Sequence, residues 1–474
     1  MGKIIFVKAP ATLKDIYGDL AAAGNEQAPI GLAQLAAITR QNNHDTEILD
    51  CGALNLGYSQ ALKIILDKKP DYVGLSSTTA FVDHAGKLAK MIKQKNNKIT
   101  ILVGGPHITA LPEKTMDKYP QFDIGVLGEA DITITELLES LDNKKDLSSV
   151  KGLMYRQGKK LVKTEPRGFV EDLDTLPMPA YDLLPDITKY YMPPANSLYR
   201  LPSISIITSR GCPMQCTFCA NVVFGNRCRA HSAEYVMKTI RYLYDNYGIR
   251  EIQIYEDNFA AYRERLIKLC KMLIKEKLDL SFWCMASVNM VNPEVLKLMK
   301  QAGFWQIAYG CESGSQMMLD KYKKNVKLER IDQALKWTKE AGISTKGFFM
   351  IGGPNETNET MKQTVDFIKR LPLDDFHVTF FAPLPGSEIY ANVKKYGTFD
   401  EDWEKMNMFD KPSFIPHGLK EEDMVYYYKK AYRQFYLRPR TIWYFIKKLR
   451  NPTVAKKIII SGFAFLKFLF KKER

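Results

Sequence analysis

The chain has 474 residues, of which 46% are hydrophobic, so a large core can be buried and a disordered protein is excluded. A chain of this length is expected to form two or three domains. The formal net charge is +15, yet 14 basic residues and one acidic residue lie in the last 46 positions. The rest of the chain is therefore nearly neutral, which argues against a basic body that binds nucleic acid.

The cysteines are few and unevenly placed. Eight in a chain of this length are too few for a disulfide framework, and three of them fall within eight positions. This distribution favours the reducing environment of the cytoplasm. Only about five apolar residues precede Lys8, too short a run for a secretory signal. No run of 18 apolar residues occurs, so we expect no membrane span.

The first 140 residues alternate short β-rich runs with helical patterns, which predicts a doubly wound, Rossmann-like α/β domain with a parallel sheet. Strands are expected at residues 3–7, 46–50, 72–76, 100–104 and 122–127. Ligands of such sheets bind beyond the carboxyl ends of the strands. Ser77 and Thr78 follow the third strand, and Gly104, Gly105 and His107 lie at or after the end of the fourth.

A second alternation follows a segment rich in proline and glycine. Six strands are expected at residues 203–208, 251–255, 280–286, 305–310, 345–351 and 376–381. Six β/α units predict a partial barrel of the TIM type, with its working face at the loops after the strands. We therefore expect a Rossmann-like domain (1–142), a hairpin and linker (143–202), a partial barrel (203–390) and a helical C-terminal region with a basic amphipathic tail (391–474).

The loop after the first barrel strand carries three cysteines in the spacing C-x3-C-x2-C, namely Cys212, Cys216 and Cys219. Three thiolates on a short loop suit an iron–sulfur cluster in which one iron is left open to a substrate. A tetrahedral zinc site would need a fourth ligand, which Cys228 or His231 could supply. A purely structural trio of thiols is a further alternative.

This motif, C-x3-C-x-Phe-C after the first of six strands, resembles the radical S-adenosylmethionine (radical SAM) superfamily over residues 203–390. The resemblance implies that Cys212, Cys216 and Cys219 bind a 4Fe-4S cluster whose open iron takes S-adenosylmethionine, with Phe218 near the adenine. It also implies an enzyme that forms a 5′-deoxyadenosyl radical at this cluster. Such an enzyme needs a reductant, such as flavodoxin or ferredoxin.

Three further sets of residues match S-adenosylmethionine-binding positions of the superfamily by their place. They follow or end the second, fourth and fifth barrel strands: Glu256, Asp257 and Asn258; Glu312 and Ser313; Gly352 and Gly353. The family usually carries Gly-Gly-Glu in the first of these places, so this chain departs from the pattern. Carboxylate and amide acceptors still suit the ammonium group of methionine. An ordinary turn is the alternative for Glu312 and for the two glycines.

The order of the two domains resembles the cobalamin-binding branch of the superfamily, which includes methylases and the oxidative ring-forming enzyme of chlorophyll synthesis. The resemblance implies that Gly104 and Gly105 allow the nucleotide tail of cobalamin to lie against backbone, near the Ser77 and Thr78 hydroxyls. The Asp-x-His-x-x-Gly loop that ligates cobalt in some cobalamin domains is absent. A cobalt without a lower histidine is therefore expected, with His107 at the ligand edge. A domain that keeps this fold but only covers the barrel or shapes the substrate site is the alternative.

The end of the chain combines apolar and cationic residues. Its last apolar stretch has about 13 residues, too short to span a bilayer but able to lie in the headgroup plane. This pattern predicts peripheral contact with the inner membrane surface and a lipid-like substrate, such as an isoprenoid or hopanoid. A packed helical cap with solvated lysines is the alternative.

The leading functional hypothesis is cobalamin-dependent methylation of an unactivated carbon. Radical cyclisation, rearrangement or carbon–carbon coupling without methyl transfer is the enzymatic alternative. A non-catalytic iron–sulfur protein for electron transfer or regulation is the alternative of another class. Methylthiolation of transfer RNA is disfavoured because that branch carries further cluster cysteines in its N-terminal domain, where this chain has only Cys51.

Overall fold

The computed structural model describes residues 1–18, 21, 24–406, 408, 409 and 411–470. The first sheet has seven strands in the order β2-β1-β3-β4-β5-β6-β7. Its strands are β1 (Lys3–Lys8), β2 (Asp45–Asp50), β3 (Tyr72–Ser76), β4 (Thr100–Gly104), β5 (Ile124–Val126), β6 (Leu153–Gln157) and β7 (Lys160–Lys163). The first five are parallel, and β6 and β7 form a hairpin that extends the sheet antiparallel to β5.

Helices cover both faces of this sheet. They are α1 (Leu13–Tyr17), α2 (Ile30–Gln41), α3 (Tyr58–Asp67), α4 (Val82–Lys95), α5 (Pro106–Ala110), α6 (Pro112–Lys118) and α7 (Asp131–Asp142). The central strands are continuous apolar runs because they are buried on both sides. Residues of α3 and α4 join the core on one face, and residues of α2 and α7 join the core on the other.

The second sheet has six parallel strands in the order β15-β14-β13-β12-β11-β8. They are β8 (Ser203–Ile206), β11 (Glu251–Ile254), β12 (Ser281–Ala286), β13 (Phe304–Glu312), β14 (Ser344–Ile351) and β15 (Asp375–Phe380), with a two-residue pair, β9 (Ser209–Arg210) and β10 (Arg229–Ala230), after β8. Each strand of the six pairs with the one before it in the chain, as a partial barrel requires.

The helices between these strands pack on the outside of the sheet. They are α8 (Ala233–Tyr247), α9 (Arg263–Glu276), α10 (Pro293–Gln301), α11 (Gln316–Lys321), α12 (Leu328–Glu340) and α13 (Asn358–Arg370). The start of α10 has a cap that its local sequence specifies, because Asn292 accepts from the Val295 N–H and Pro293 occupies the first helical position.

The C-terminal region contains a small antiparallel pair followed by three helices. These elements are β16 (Gly397–Phe399), β17 (Phe414–Pro416), α14 (Glu421–Tyr436), α15 (Pro439–Lys448) and α16 (Pro452–Phe470). Helix α14 packs against α13 and the edge strand β15, where Tyr432 and Phe435 contact Phe376. Phe465 of α16 packs on Tyr432 and Tyr436.

The tail is more firmly packed than a uniformly solvated cationic segment. Burial lowers the pKa of both Lys448 and Lys457 to about 8, and their ammonium groups donate to the carbonyls of Asn196 and Pro193. The last two lysines, Lys471 and Lys472, lie outside the described residues. No helix in the described part of the chain combines the length and apolarity needed to cross a membrane.

The predicted fold class is confirmed. The eleven strands predicted for the two sheets are all present, and their ends differ from the predicted ones by at most two residues. The predicted hairpin belongs to the first sheet, because β6 pairs directly with β5. The four segment boundaries stay a prediction.

Candidate active site

The three cysteines lie on the cluster loop, which we define as residues 211–219, between β9 and β10. Gly211 begins this loop with a φ of +83°, and a Cβ there would come within 2.3 Å of the Arg227 carbonyl oxygen. Only glycine fits such a position. Burial raises the pKa of the Cys219 thiol to about 11 and also raises those of Cys212 and Cys216. A cluster held by these three residues would therefore have to displace the protons of their thiols.

The donor set fits a multi-iron cluster better than a single zinc ion. Among the described residues, no three His, Cys, Asp or Glu side chains lie close enough to share one metal ion. The cysteines of an iron–sulfur cluster bind different irons, so they need not converge on one atom. His231, the candidate fourth zinc ligand, is buried, with Nδ1 3.1 Å from Asp174 Oδ1 and its ring stacked on Tyr235.

Glu256 and Asn258 are held by their neighbours. Glu256 is buried and accepts hydrogen bonds from the Thr208 N–H at 2.7 Å and the Ser209 hydroxyl at 2.8 Å. Asn258 is also buried, and its Oδ1 accepts from the Ser287 N–H at 3.2 Å. Their direct contact with S-adenosylmethionine stays a prediction.

Asp257 has a different environment, because it is exposed and lies near Cys212 and Cys219. Its carboxylate accepts a hydrogen bond from the Gly211 N–H. The residue is exposed as a whole, but protein atoms surround its carboxyl group, and this desolvation, followed by the charge of Glu256, raises its pKa. Of the three acidic and amide residues after β11, Asp257 is thus the one available to a cation at the cluster loop.

Glu312 ends β13 in the left-handed region, with a φ of +62°. Its Oε1 lies 2.7 Å from Nζ of Lys324, which the sequence analysis missed because no motif marks it. Burial disfavours the charge of Lys324, but Glu312 and Cys216 outweigh burial and raise its pKa. Lys324 also lies 5.9 Å above the Phe218 ring. The strained backbone and the buried ion pair together place Glu312 beside the cluster loop.

Ser313 is fully buried and supports this turn. Its Oγ lies 3.1 Å from Oγ1 of Thr364 and accepts from the Ser315 N–H at 3.1 Å. These bonds fix the backbone directly after Glu312. A direct contact between Ser313 and a cofactor stays a prediction.

Gly352 and Gly353 form the turn after β14, where both N–H groups donate to Oε2 of Glu356, at 2.5 and 2.9 Å. Gly352 has a φ of +80°, and a Cβ at either glycine would clash, with Met424 and Tyr322 respectively. Burial raises the pKa of Glu356 to about 7. Glu356 could not be predicted from the sequence, because its role depends on backbone geometry.

Tyr322 connects these groups. Its ring contacts Phe218 edge to face, with centroids 5.6 Å apart, and its carbonyl accepts from the Thr217 N–H in the cluster loop. Its hydroxyl lies against Gly353. The structure therefore brings Phe218, the turn after β14 and the end of β13 together around the three cysteines.

A cavity of about 410 Å³, which we call the glycine cavity, lies between the first sheet and the residues that flank the cluster loop. The first sheet contributes Gly74, Gly104, Gly105 and Gly128, and the barrel contributes Asn221, Phe224 and Asp257. Gly104 lies on the same face as Leu102, and a Cβ there would meet Val126 only at 3.8 Å. The absence of side chains at Gly104 and Gly128, where a Cβ would meet no close neighbour, creates room where the sequence predicts the cobalamin tail.

The other predicted cobalamin contacts do not line this cavity. Ser77 is buried and donates to the Gly104 carbonyl at 3.1 Å, and Gly105 packs directly on its backbone. Thr78 is exposed outside the cavity. His107 is buried against Trp403, with its Nδ1 3.1 Å from Thr79 Oγ1, and burial lowers its pKa to about 4. Direct cofactor binding by these three residues stays a prediction.

Buried ion pairs join the two domains at the wall of the glycine cavity. Arg210, next to the cluster loop, contacts both Glu129 and Asp131 of the first domain. Arg229 contacts Glu129 at 2.8 Å and donates to the Val170 carbonyl. These ion pairs could not be predicted from the sequence, because the arginines and the carboxylates are far apart in the chain.

The fold and these sites define an α/β enzyme with a cofactor-binding domain of the B12 type before a parallel partial barrel that carries a three-cysteine loop. Residues 18–138 match the B12 binding domain, and residues 206–368 match the radical SAM superfamily. The Pyrococcus horikoshii protein "Uncharacterized methyltransferase PH0819" is 34% identical over 421 residues, which is 88% of this chain and 90% of the relative.

The chain therefore belongs to the radical SAM superfamily, in the branch that carries a B12-binding domain, and it is an enzyme whose cofactors are a 4Fe-4S cluster, S-adenosylmethionine and cobalamin. The hopanoid C-3 methylase of Methylococcus capsulatus is 26% identical over 84% of this chain and 76% of its own.

Solved structures share the fold. The radical S-adenosylmethionine methyltransferase TsrM from Kitasatospora setae superposes with a TM-score of 0.71 over 93% of this chain and 90% of its own, at 16% identity. The cobalamin-dependent radical enzyme OxsB superposes with a TM-score of 0.76 over 98% of this chain and 72% of its own, at 18% identity. The domain order and the partial barrel are thus common to these proteins.

Proposed function

We propose that this enzyme methylates an unactivated carbon of a lipid-like molecule in a cobalamin-dependent radical reaction. The observation that carries the proposal is that the glycine cavity reaches Arg210 and Ala220, the two residues that flank the cluster loop. One wall consists of Gly104 and Gly105 of the first domain, and the opposite wall includes Asp257, which lies near Cys212 and Cys219. A cofactor held by the first domain would thus face the S-adenosylmethionine site.

Each group in the site has a proposed role. Cys212, Cys216 and Cys219 hold the cluster. Asp257 accepts hydrogen bonds from the ammonium group of the methionine part of S-adenosylmethionine. Phe218 packs on the adenine, and Glu312, fixed by Lys324, accepts hydrogen bonds from the ribose. The bound cofactors supply hydrogen abstraction and a methyl group, which no side chain of the protein can supply.

The glycines and Arg210 complete the arrangement. Gly104 and Gly105 accommodate the nucleotide tail because a side chain at either position would narrow the cavity or meet backbone. Arg210, next to the cluster loop, pairs with carboxylates of the first domain. It therefore keeps the two cofactor sites at a fixed distance and orientation. Burial of these ion pairs also keeps water away from that side of the cavity.

Membrane contact is the second part of the proposal, and it depends on the outer face of α15 and α16. We define this face as the exposed apolar residues Ile442, Trp443, Ile446, Ile459, Ile460 and Phe463. Phe463 is 71% exposed. Exposed lysines, including Lys456 and Lys467, lie beside it. An amphipathic surface of this kind suits an anionic bilayer, where each basic residue adds about 1 kcal/mol.

The reaction is tested with full-length protein reconstituted anaerobically with iron, sulfide and hydroxocobalamin. The enzyme is incubated with a strong reductant, methyl-labelled S-adenosylmethionine and a total lipid extract. We expect 5′-deoxyadenosine and S-adenosylhomocysteine together, with label in a lipid product. Formation of 5′-deoxyadenosine alone would favour cyclisation, rearrangement or coupling. The variant with alanine at all three cluster cysteines is the control and should form neither.

Vesicle co-sedimentation tests the membrane contact separately. The wild type should pellet with vesicles that contain anionic phosphatidylserine more than with neutral phosphatidylcholine vesicles. The substitution Phe463→Ser should reduce pelleting because it removes the most exposed apolar side chain of the outer face. Equal pelleting of both proteins with both vesicles would contradict the membrane proposal.

A further inference from the structure

A second cavity of about 410 Å³, which we call the barrel chamber, lies inside the partial barrel. The strands contribute aromatic side chains, including Tyr255, Trp283, Phe348 and His377, and α16 closes the opposite side. The glycine cavity and the barrel chamber share no lining residue. We propose that the barrel chamber binds the substrate, and that this substrate is a largely apolar, uncharged molecule with one hydroxyl or carbonyl group. Its identification as a substrate rests on the proposed function.

The barrel chamber lies next to the reaction site. Phe348 lines the chamber, and Met350 is two residues further along β14 on the same face. Two residues advance a strand by about 7 Å. Met350 packs in the same hydrophobic cluster as Phe218 of the cluster loop. The chamber therefore lies on the same face of β14 as Met350, the side chain that packs in the cluster containing Phe218.

The polarity of the chamber indicates an uncharged ligand. Among the described lining residues, Lys346 is the one charged side chain, and its Nζ lies 3.0 Å from Asp375 and 2.9 Å from the Ser197 hydroxyl. Its charge is thus neutralised within the protein. A carboxylate or phosphate in the chamber would have no free cation to pair with, which makes its burial costly.

Two polar atoms of the chamber have no hydrogen-bond partner in the described part of the chain. They are Nε2 of His377 and Oγ of Ser461, and both are buried. An unsatisfied buried polar atom costs free energy, so a small rotation of either side chain that let its polar atom bond to a ligand in the chamber would be favoured. One hydroxyl or carbonyl group on an otherwise apolar ligand meets this requirement.

Helix α16 presents its two faces to different surroundings. Ile458, Ser461, Gly462 and Phe465 recur at helical spacing and line the chamber. The outer face carries Ile459, Ile460 and Phe463, which are exposed. One helix therefore separates the chamber from the apolar surface that we propose to contact lipid. A molecule leaving a bilayer would have to pass only this helix to reach the chamber.

Gly462 offers a sharp test because a Cβ there would meet no atom within 4 Å. The substitution Gly462→Phe should fill the chamber without displacing its wall. The probe is N-phenyl-1-naphthylamine, a neutral apolar fluorophore that accepts energy from tryptophan, and Trp283 lies in the wall. Reconstituted wild type should bind one probe per chain with tryptophan-sensitised emission. Gly462→Phe should weaken this binding at least tenfold, and Phe463→Ser should leave it within twofold.

The polar preference is tested by competition. In the wild type, 1-naphthol should displace the probe about three- to tenfold better than 1-methylnaphthalene, as one net hydrogen bond predicts. The variant His377→Phe should lose this preference, and 1-naphthoate should displace the probe from neither protein. Equal displacement of the wild type by naphthol and methylnaphthalene, or strong displacement by naphthoate, would overturn the assignment of ligand class.

Failure of this proposal can be separated from failure of the proposed function. Iron content, corrin absorbance and unfolding midpoint should match in the wild type and Gly462→Phe, which shows that the variant folds and holds its cofactors. If Gly462→Phe binds the probe as the wild type does, the proposal that the chamber binds the ligand is wrong, whether or not methylation occurs. If Gly462→Phe loses probe binding but the wild type transfers no methyl group, the chamber is a ligand site and the proposed methylation is wrong.

Discussion

Arg210, which directly precedes the cluster loop, forms a bidentate ion pair with Asp131 of the first domain. Nη1 and Nη2 of Arg210 lie 2.8 and 3.0 Å from the two carboxylate oxygens of Asp131. The side chains are 10% and 6% exposed, so both charges are largely removed from water. Because the pair lines the glycine cavity, it connects the position of the first domain to the position of the three cysteines.

The substitution Asp131→Asn should destabilise the protein, because it leaves the buried Arg210 guanidinium short of negative charge. Removing one partner of a buried ion pair costs about 3–5 kcal/mol. We expect a lower urea midpoint and weaker retention of cobalamin. The control is Asp279→Asn at the exposed pair with Arg200, which should cost less than about 1 kcal/mol. Equal midpoints for Asp131→Asn and the wild type would show that the interface pair contributes nothing to folding.

Gly104→Leu should block cobalamin while leaving the fold intact. A Cβ at this position meets its nearest neighbour, Val126, at ordinary contact distance, and the rest of the side chain would enter the glycine cavity. The desalted, reconstituted variant should lack the corrin absorbance of the wild type and keep its iron. Gly105→Ala is the comparison, because its φ of +114° and a 2.7 Å clash with the Ser77 carbonyl should reduce stability as well. Full corrin absorbance in Gly104→Leu would place cobalamin elsewhere.

Alanine at Cys212, Cys216 or Cys219 should each reduce the iron content from about four atoms per chain to fewer than one. Cys228 is the matched control, since it is half-buried beside the same loop but lies outside the motif. Cys228→Ser should keep the full iron content after anaerobic reconstitution. Loss of iron from Cys228→Ser, or iron retained in all three alanine variants, would reject the assigned ligand set.

Local sequence signals predicted the fold well because each depends on a few neighbouring residues. The cap of α10 needs only Asn292 and Pro293 next to an apolar pattern. The glycines that end β4 and β14 were likewise expected at functional edges. What these signals specify is the position of an element and the presence of a turn, not the direction of every side chain after a strand. Ser77 shows the difference, because its hydroxyl donates to the Gly104 carbonyl and the residue does not line the cavity.

The pairs that organise the site could not be predicted in this way, because they join distant parts of the chain. Arg210 and Asp131 are 79 residues apart, and Lys324 lies beside Cys216 although no motif contains it. Glu256 was expected to be available to methionine, yet Thr208 and Ser209 already donate to it. Such contacts depend on how the two domains and the barrel loops pack.

Glu356 should make stability depend on pH in a specific direction. Burial raises its pKa to about 7, whereas an exposed glutamate has a pKa near 4.5. Between these values the folded protein keeps a proton that the unfolded chain releases, so this group's contribution to stability falls as pH rises from about 4.5 to 7. The loss is on the order of 3 kcal/mol above pH 7.

The substitution Glu356→Gln removes this titration and keeps an oxygen that can accept from the Gly352 and Gly353 N–H groups. The free energy of unfolding of the variant minus that of the wild type should therefore increase between pH 5 and pH 8, as measured by urea unfolding. Glu359→Gln, at an exposed position in the first turn of α13, should show the same difference at both pH values. Parallel profiles for Glu356→Gln and the wild type would mean that this buried carboxyl group does not change its ionisation on folding.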